Sequence, residues 1–171
     1  TQLSRPVDNL IQLGYLKRDV PFGESETNSK RGIYRIADPF MNFYFHFLVP
    51  NLSRLELGLT DQVYNVFESR VSNFVSLEWE NLCRRSVPMK PISGIYFDIA
   101  YKWWGANLKN EPMELDVVAE SVDKKYLLIG ECKWSMISES AALIRRLEKK
   151  ANLFPFAKDK KIILAVYVKE T

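Results

Sequence analysis

Residues 113–134 read MELDVVAESVDKKYLLIGECKW, two apolar runs on either side of the turn residues Asp123 and Lys124. Both runs, Met113 to Ser121 and Tyr126 to Lys133, have the aliphatic and β-branched content of strands bounded by turn chemistry. Successive side chains of a strand point to opposite faces, so Leu115 and Val117 are expected on one face and Asp116 on the other. Glu131 and Lys133 are two apart and share a face. Pairing of the two strands then gathers Asp116, Glu131 and Lys133 into one charged cluster at the end of an apolar sheet.

Two carboxylates brought together out of water are unfavourable unless something positive joins them. Oxygen donors of this kind suit Mg²⁺ or Mn²⁺, which bind few protein ligands and keep waters. A water on such a metal, positioned by Lys133, has the character needed to attack a phosphodiester in line. From spacing alone, Glu131-x-Lys133 is also the pattern of a same-face ion pair on an edge strand.

Outward from this stretch, Ile92 to Trp103 is strand-like, with turn residues from Gly105 to Glu111. A helix is expected from about Ser138 to Phe154, its apolar face made by Leu143, Ile144, Leu147, Ala151 and Phe154. Lys161 to Val168 closes the chain as an apolar strand. Upstream, Asp61 is a candidate N-cap for a long helix reaching about Arg85, where Pro88 and Pro91 end it. Val63, Phe67, Val71, Phe74, Val75 and Leu82 supply its apolar stripe. The order αβββαβ is a mixed α/β layer arrangement around a mixed sheet, and no internal repeat is visible.

The first fifty residues have a different character. Val7, Leu10, Ile11 and Leu13 have helical spacing, and Gly14 is placed to stop that helix. Tyr15 to Val20 and Gly32 to Ile36 then resemble two strands around the polar loop Gly23 to Lys30. Asp38-Pro39-Phe40 opens an aromatic segment, Met41 to Val49, in which periodicity does not separate a strand from a buried helix. His46 is the single histidine, and with no serine or cysteine elbow near it a structural role is expected. Pro50 to Thr60 reads as a connecting loop, so the expected division is 1–50 and 51–171.

The chain has 171 residues, 47% hydrophobic and 26% charged, the balance of a globular protein with a real core. The longest apolar run, Phe43 to Val49, is far shorter than a membrane span. No membrane partner is expected. The N-terminus has no cationic stretch leading into an apolar one and enters a helical pattern almost at once, which predicts a piece of a longer chain without a signal peptide. Cys83 and Cys132 stand 49 residues apart without metal-ligand spacing, so neither a zinc site nor a disulfide framework is indicated and a cytoplasmic location is the simplest expectation. Net charge is +3, but residues 1–120 sum to −2 and residues 121–171 to +5. Lys124-Lys125, Arg145-Arg146, Lys149-Lys150 and Lys158, Lys160 and Lys161 make up the basic clusters, which either attract polyphosphate or are solvated faces.

Two resemblances follow. Residues 10–48, LIQLGYLKRDVPFGESETNSKRGIYRIADPFMNFYFHFL, look like the last helix and wing of a winged-helix domain. Residues 74–85 (FVSLEWENLCRR), 102–120 (KWWGANLKNEPMELDVVAE) and 127–134 (LLIGECKW) resemble the restriction-endonuclease-like superfamily with the PD-(D/E)xK signature. More closely, they resemble the nuclease-like C-terminal domain of archaeal-type P-loop ATPases that are also common in bacteria.

The nuclease resemblance implies that Asp116 and Glu131 are metal ligands, that Lys133 is the catalytic lysine, and that Glu80 is the helical carboxylate that helps hold Mg²⁺ or Mn²⁺. Glu78 is an alternative to Glu80, since its angular position falls nearer the apolar stripe. Ser76 stands where the family usually has glycine, and no proline precedes Asp116. Trp103-Trp104 match the family's tryptophan pair, of which at most one is expected in the core.

The implied function is metal-dependent hydrolysis of DNA, with Lys17, Arg18 and Arg35 of the wing and Arg145 and Lys149 downstream as candidate phosphate contacts. No GxxxxGK[ST] motif occurs, so ATP is expected only in an upstream ATPase domain of the same chain, with a homo-oligomer as a further implied partner. Two other readings stay open: a catalytically silent interaction module of the ATPase, and a DNA-binding winged-helix module.

Overall fold

The computed structural model describes residues 4–135 and 140–169. Its contacts divide the chain into two compact units, Thr1–Asp19 with Lys30–Val75, and Val20–Ser29 with Ser76–Thr171. The boundary expected after residue 50 follows composition and this one follows packing.

In the first unit, α1 (Ser4–Gln12) ends as the glycine predicts. Gly14 takes φ +76°, its N–H donates to the Ile11 carbonyl, and the Tyr15 N–H donates to the Leu10 carbonyl, both at 2.9 Å. That pair of bonds satisfies carbonyls the helix end leaves open. β1 (Leu16–Asp19) and β2 (Ile33–Ile36) form an antiparallel hairpin with Leu16 opposite Ile36. The aromatic segment is helical: Asp38 caps α2 (Pro39–Phe43) by accepting from the Met41 N–H at 2.8 Å, and a π-helical turn follows over Tyr44–Leu48.

The expected loop from Pro50 to Thr60 is mostly helix instead, a 3-10 turn over Val49–Asn51 and α3 (Leu52–Glu56). Pro50 sits in a first turn, where its missing N–H has no partner to lose. Buried Asn51 donates to the Phe47 carbonyl and accepts from Arg54, both at 2.8 Å, which ties the two turns together. Only residues 57–59 remain as a turn, with Gly58 at φ +75°. Phe43, Phe47, Phe67 and Phe74 pack edge to face with centroids 5.1–6.1 Å apart, and exposed His46 lays its ring 4.8 Å from Phe47 and 5.9 Å from Phe74.

α4 (Thr60–Ser86) starts one residue before the expected cap, so Asp61 lies in its first turn, and Pro88 follows in the 3-10 turn Val87–Met89. Within the second unit its buried stripe runs through Trp79, Cys83 and Val87, four residues apart, while Leu82 is exposed.

The second unit is built on β3 (Tyr101–Ala106), β4 (Pro112–Glu120), β5 (Tyr126–Lys133) and β6 (Lys161–Val168), in that order across one sheet. β3–β4 and β4–β5 are antiparallel, and β5–β6 is parallel, as the crossover through α5 (Ser140–Asn152) requires. The αβββαβ order and the mixed sheet are those expected. The start of the expected helix, at Ser138, lies outside the described residues.

The strand expected over Ile92 to Trp103 is shorter. Ser93 (φ +51°) and Gly94 (φ +78°) fold residues 92–95 into a turn, and Phe97 pairs with Ser121 through an isolated bridge and buries its side chain against the sheet. Gly105 and Ala106, expected in the turn, extend β3 instead.

The sheet is covered on both faces. Trp103, Leu115, Val118, Leu127 and Ile129 pack with Leu147, Ala151 and Phe154 from α5 and beyond its end. Val117, Ala119, Leu128 and Cys132 pack with Cys83 and Val87 from α4 and beyond its end. Trp103 is in the core and Trp104 half-buried, while Ile144, expected on the apolar face of α5, is exposed.

Leu115 and Val117 therefore lie on opposite faces, against the expected alternation. Trp103 pairs with Leu115 and Tyr101 with Val118, so β4 carries one residue more than β3 between those pairs. This is a β-bulge at Asp116 and Val117, and it switches the facing of the strand.

Gly130 permits the tightest approach in the sheet. A Cβ there would meet the Tyr167 ring at 2.9 Å and the Val117 Cβ at 3.0 Å. Gly130→Ala is expected to destabilise the second unit by about 1–3 kcal/mol, the range for overpacking a filled core. Equilibrium unfolding in urea checks this, and an unchanged midpoint would mean that Tyr167 moves aside without loss.

Candidate functional site

The bulge decides what Asp116 can do. An extra residue frees main-chain groups from the ladder, and the Asp116 carbonyl accepts from Arg84 Nη1 of α4 at 2.7 Å. Its side chain turns to the β5 backbone, where Oδ2 accepts from the Cys132 N–H at 2.9 Å. Burial pushes the Asp116 carboxyl above its usual range; the Cys132 bond opposes this, and the charges of Glu80 and Glu131 add to the rise. Asp116 is thus a carboxylate whose ionised form is held at a disadvantage.

Glu131 is the opposite case. It is 5% exposed, and three cations converge on it: Lys133 Nζ at 3.0 Å and Arg146 Nη2 at 3.0 Å on Oε1, and Lys150 Nζ at 2.9 Å on Oε2. Burial raises its pKa, but the bonds from Lys150 and Lys133 outweigh that and hold the carboxyl below its usual range. Lys133 lies on β5 two residues away, and Arg146 and Lys150 are one turn apart on α5.

Glu80 lies on α4, 3.2 Å from Lys102 Nζ and 3.6 Å from Arg84, and Lys102 also reaches Glu114 at 3.5 Å. Glu80 is the helical carboxylate whose charge acts on Asp116, while Glu78 accepts from Asn81 at 3.3 Å. Glu120 pairs with Lys160. The thiols of Cys83 and Cys132 are buried and unbridged in the α4-facing core.

All four residues of the expected site thus belong to the second unit; the charges of Glu80 and Glu131 act on Asp116, and Lys133 pairs with Glu131. The expected phosphate contacts of the wing belong to the first unit. Lys17 and Arg35 both pair with Asp19, at 3.9 and 2.9 Å, and Arg18 stacks over the Tyr34 ring at 5.9 Å. Arg145 and Lys149 are exposed on α5. The basic residues that do reach the cluster are Arg84, Lys102, Arg146 and Lys150. For the last two the signal was available: the (i, i+4) pair sits directly before the buried positions Leu147 and Ala151, along one flank of the apolar stripe.

Among the described residues no three acidic, histidine or cysteine side chains converge closely enough to enclose a metal ion. Mg²⁺ and Mn²⁺ need less than an enclosure, since one or two carboxylates with waters suffice. Asp116 fits that requirement: among the described residues Oδ2 accepts the Cys132 N–H, and the burial of its charge, only partly offset by that bond and Lys102, is what a cation would relieve. The carboxylates whose charges act on Asp116 are Glu80 and Glu131, each already paired with cations of the chain.

Residues 44–144, more than half of the chain, match the DUF234 family, described as archaea bacterial proteins of unknown function, and the chain belongs to it. It is also 26% identical over 158 residues to the uncharacterized protein MJECL04 of Methanocaldococcus jannaschii, an alignment covering 90% of this chain and 34% of that protein. The chain thus spans about a third of the length of the curated relative it matches. No solved structure gives a significant match to the chain. Among the described residues no helix is long and apolar enough to cross a membrane.

Proposed function

We propose that this DUF234 member carries a phosphodiester-hydrolysing site of the PD-(D/E)xK kind, acting on DNA, at the meeting of α4, β4, β5 and α5. The observation that carries the reading is Asp116: a bulge-borne carboxylate, buried, bonded to a main-chain N–H and lying within the field of Glu80 and Glu131, with Lys133 on the neighbouring strand. A carboxylate raised by burial and held beside other charged groups is the arrangement found at reactive sites, which supports the reading together with the main-chain bond that aims Asp116.

Asp116, with Glu131 or Glu80, would hold Mg²⁺ or Mn²⁺. Bound there, the ion would acidify a water and offset charge on the phosphate. The chain's own residues do the rest. Arg84 fixes the Asp116 backbone, the Cys132 N–H orients its carboxylate, and Lys133 presents an ammonium to an attacking oxygen or a phosphate oxygen. Hydrolysis forms the bond from water oxygen to phosphorus and breaks the bond to the leaving ester oxygen, which takes up a proton.

In the intact protein this domain would follow a winged-helix segment and an upstream P-loop ATPase domain that binds ATP, in a cytoplasmic, homo-oligomeric protein; the buried free thiols agree with a reducing compartment. A second reading, an interaction module without catalysis, is favoured by one observation: both oxygens of Glu131 are already taken by cations.

Mn²⁺ titration calorimetry and cleavage of duplex and single-stranded DNA distinguish the two. The first reading expects a Mn²⁺ site and cleavage in the unaltered chain, cleavage lost in Lys133→Ala, and both lost in Asp116→Asn. No Mn²⁺ binding and no cleavage of either DNA form would leave the interaction module.

A further inference from the structure

One carboxylate held by three cations is more than charge balance requires. Glu131 supplies two oxygens, whereas Lys133, Arg146 and Lys150 supply three, five and three N–H donors. With Glu131 ionised the group carries two net positive charges, and most of its donors point elsewhere. The carboxylate is buried but the cations are not: side-chain exposure is 34% for Lys133, 57% for Arg146 and 27% for Lys150. The three charged groups thus meet on one buried carboxylate while their side chains stay partly exposed to solvent. Arg146 and Lys150 are also ordered by their positions, since α5 packs its Leu143, Leu147 and Ala151 stripe into the core.

We infer that Lys133, Arg146 and Lys150 form a clamp for the phosphodiester backbone of nucleic acid, with Glu131 as the internal anion that pre-arranges it. A phosphate has the planar oxygen pair and the charge that a guanidinium fork and two ammonium groups accept, and these donors lose little freedom on binding because Glu131 already holds them. The clamp deepens the proposed function and rests on it for the identity of its ligand, but it needs no metal and no cleavage. The signal lies in Arg146 and Lys150, which reach Glu131, and not in their neighbours Arg145 and Lys149.

The test is fluorescence anisotropy with a fluorescein-labelled DNA duplex and the whole chain in EDTA, over a series of salt concentrations. Arg146→Ala/Lys150→Ala is expected to bind about tenfold or more weakly at low salt. Its slope of log affinity against log salt should be shallower by about 2, one for each cation withdrawn from a phosphate. Lys125→Ala/Lys158→Ala removes the same charge at the opposite end of the sheet and should keep the unaltered slope.

Equal slopes for the two double variants, or no duplex binding by the unaltered chain, would overturn the clamp. So would displacement by tripolyphosphate without any DNA binding, which would make the site one for free polyphosphate. Should Arg146→Ala/Lys150→Ala unfold, the single variants Arg146→Gln and Lys150→Gln are read in its place, each with about half the slope change. Because EDTA is present, a missing Mn²⁺ site or absent cleavage leaves this result standing. A retained Mn²⁺ site with unchanged slopes sinks the clamp alone.

Discussion

Asp116→Asn should make the protein more stable near neutral pH while abolishing Mn²⁺ binding and lowering cleavage about a thousand-fold. The loss of activity follows from the several kcal/mol of charge stabilisation a catalytic metal supplies, at about 1.4 kcal/mol per factor of ten. The gain in stability follows from the direction of the shift. Burial, then Glu80 and Glu131, hold the folded Asp116 carboxyl above its usual range against the opposing Cys132 bond. An unfolded aspartate loses its proton near pH 4. Between that pH and the higher folded value the native state keeps a proton that the unfolded state has released, so stability falls as pH rises through the interval and stays lower above it.

Asparagine keeps an oxygen for the Cys132 N–H and carries no charge, so it escapes this penalty. Urea unfolding of both proteins at a series of pH values should give curves that coincide at about pH 4 and below and separate above it, with the variant the more stable. A variant less stable at neutral pH would mean that Lys102 and the Cys132 bond outweigh burial, and that Asp116 is a structural ion-pair partner.

The contrast between these predictions and the sequence expectations turns on β4. The strands themselves are legible because Tyr126 to Lys133 and Lys161 to Val168 are near-continuous apolar runs, as sheets covered on both faces require. The αβββαβ order follows from those runs and the helical stripes. What alternation cannot reveal is an inserted residue: the bulge at Asp116 leaves its neighbours Leu115 and Val117 as apolar as before, merely on opposite faces.

The same limit applies on α5. Apolar spacing identifies the buried face but not which flank meets a charged partner, and the flank is decided by how α5 lies on β5, which places Arg146 and Lys150 on Glu131. Residues 50–56 misread as loop for a local reason, since Pro50 breaks helices in their interior and is tolerated in a first turn. The candidate acids and Lys133 were legible as a pattern; their opposite electrostatic states were not, because those depend on burial and on partners as distant in sequence as Glu80 is from Asp116 and Lys150 from Glu131.

Glu131→Ala is the complementary case and should be the most destabilising single change in the cluster. It deletes a 5% exposed carboxylate and leaves Lys133, Arg146 and Lys150 facing one another. Removing one partner of a buried pair typically costs 3–5 kcal/mol. Here the cations remain partly in water, so about 2–3 kcal/mol is the expected loss, or roughly 5–10 °C in Tm for a chain of this size. The pH signature reverses that of Asp116. Burial raises the Glu131 pKa, but the Lys150 and Lys133 bonds bring the folded value below the usual one, so its contribution is present above about pH 4.3 and fades as pH falls through the folded value. The difference between Glu131→Ala and the unaltered protein should therefore be largest at neutral pH and shrink in acid, where that for Asp116→Asn also closes from the other side.

Adding Arg146→Ala to Glu131→Ala should recover part of the loss, because the repulsion it removes exists only once the carboxylate is gone. Additive losses would mean that the cations relax into solvent independently and that Glu131 does not hold them as a set. In that event the clamp loses its pre-arrangement, although each cation could still meet a phosphate singly, with a smaller salt slope.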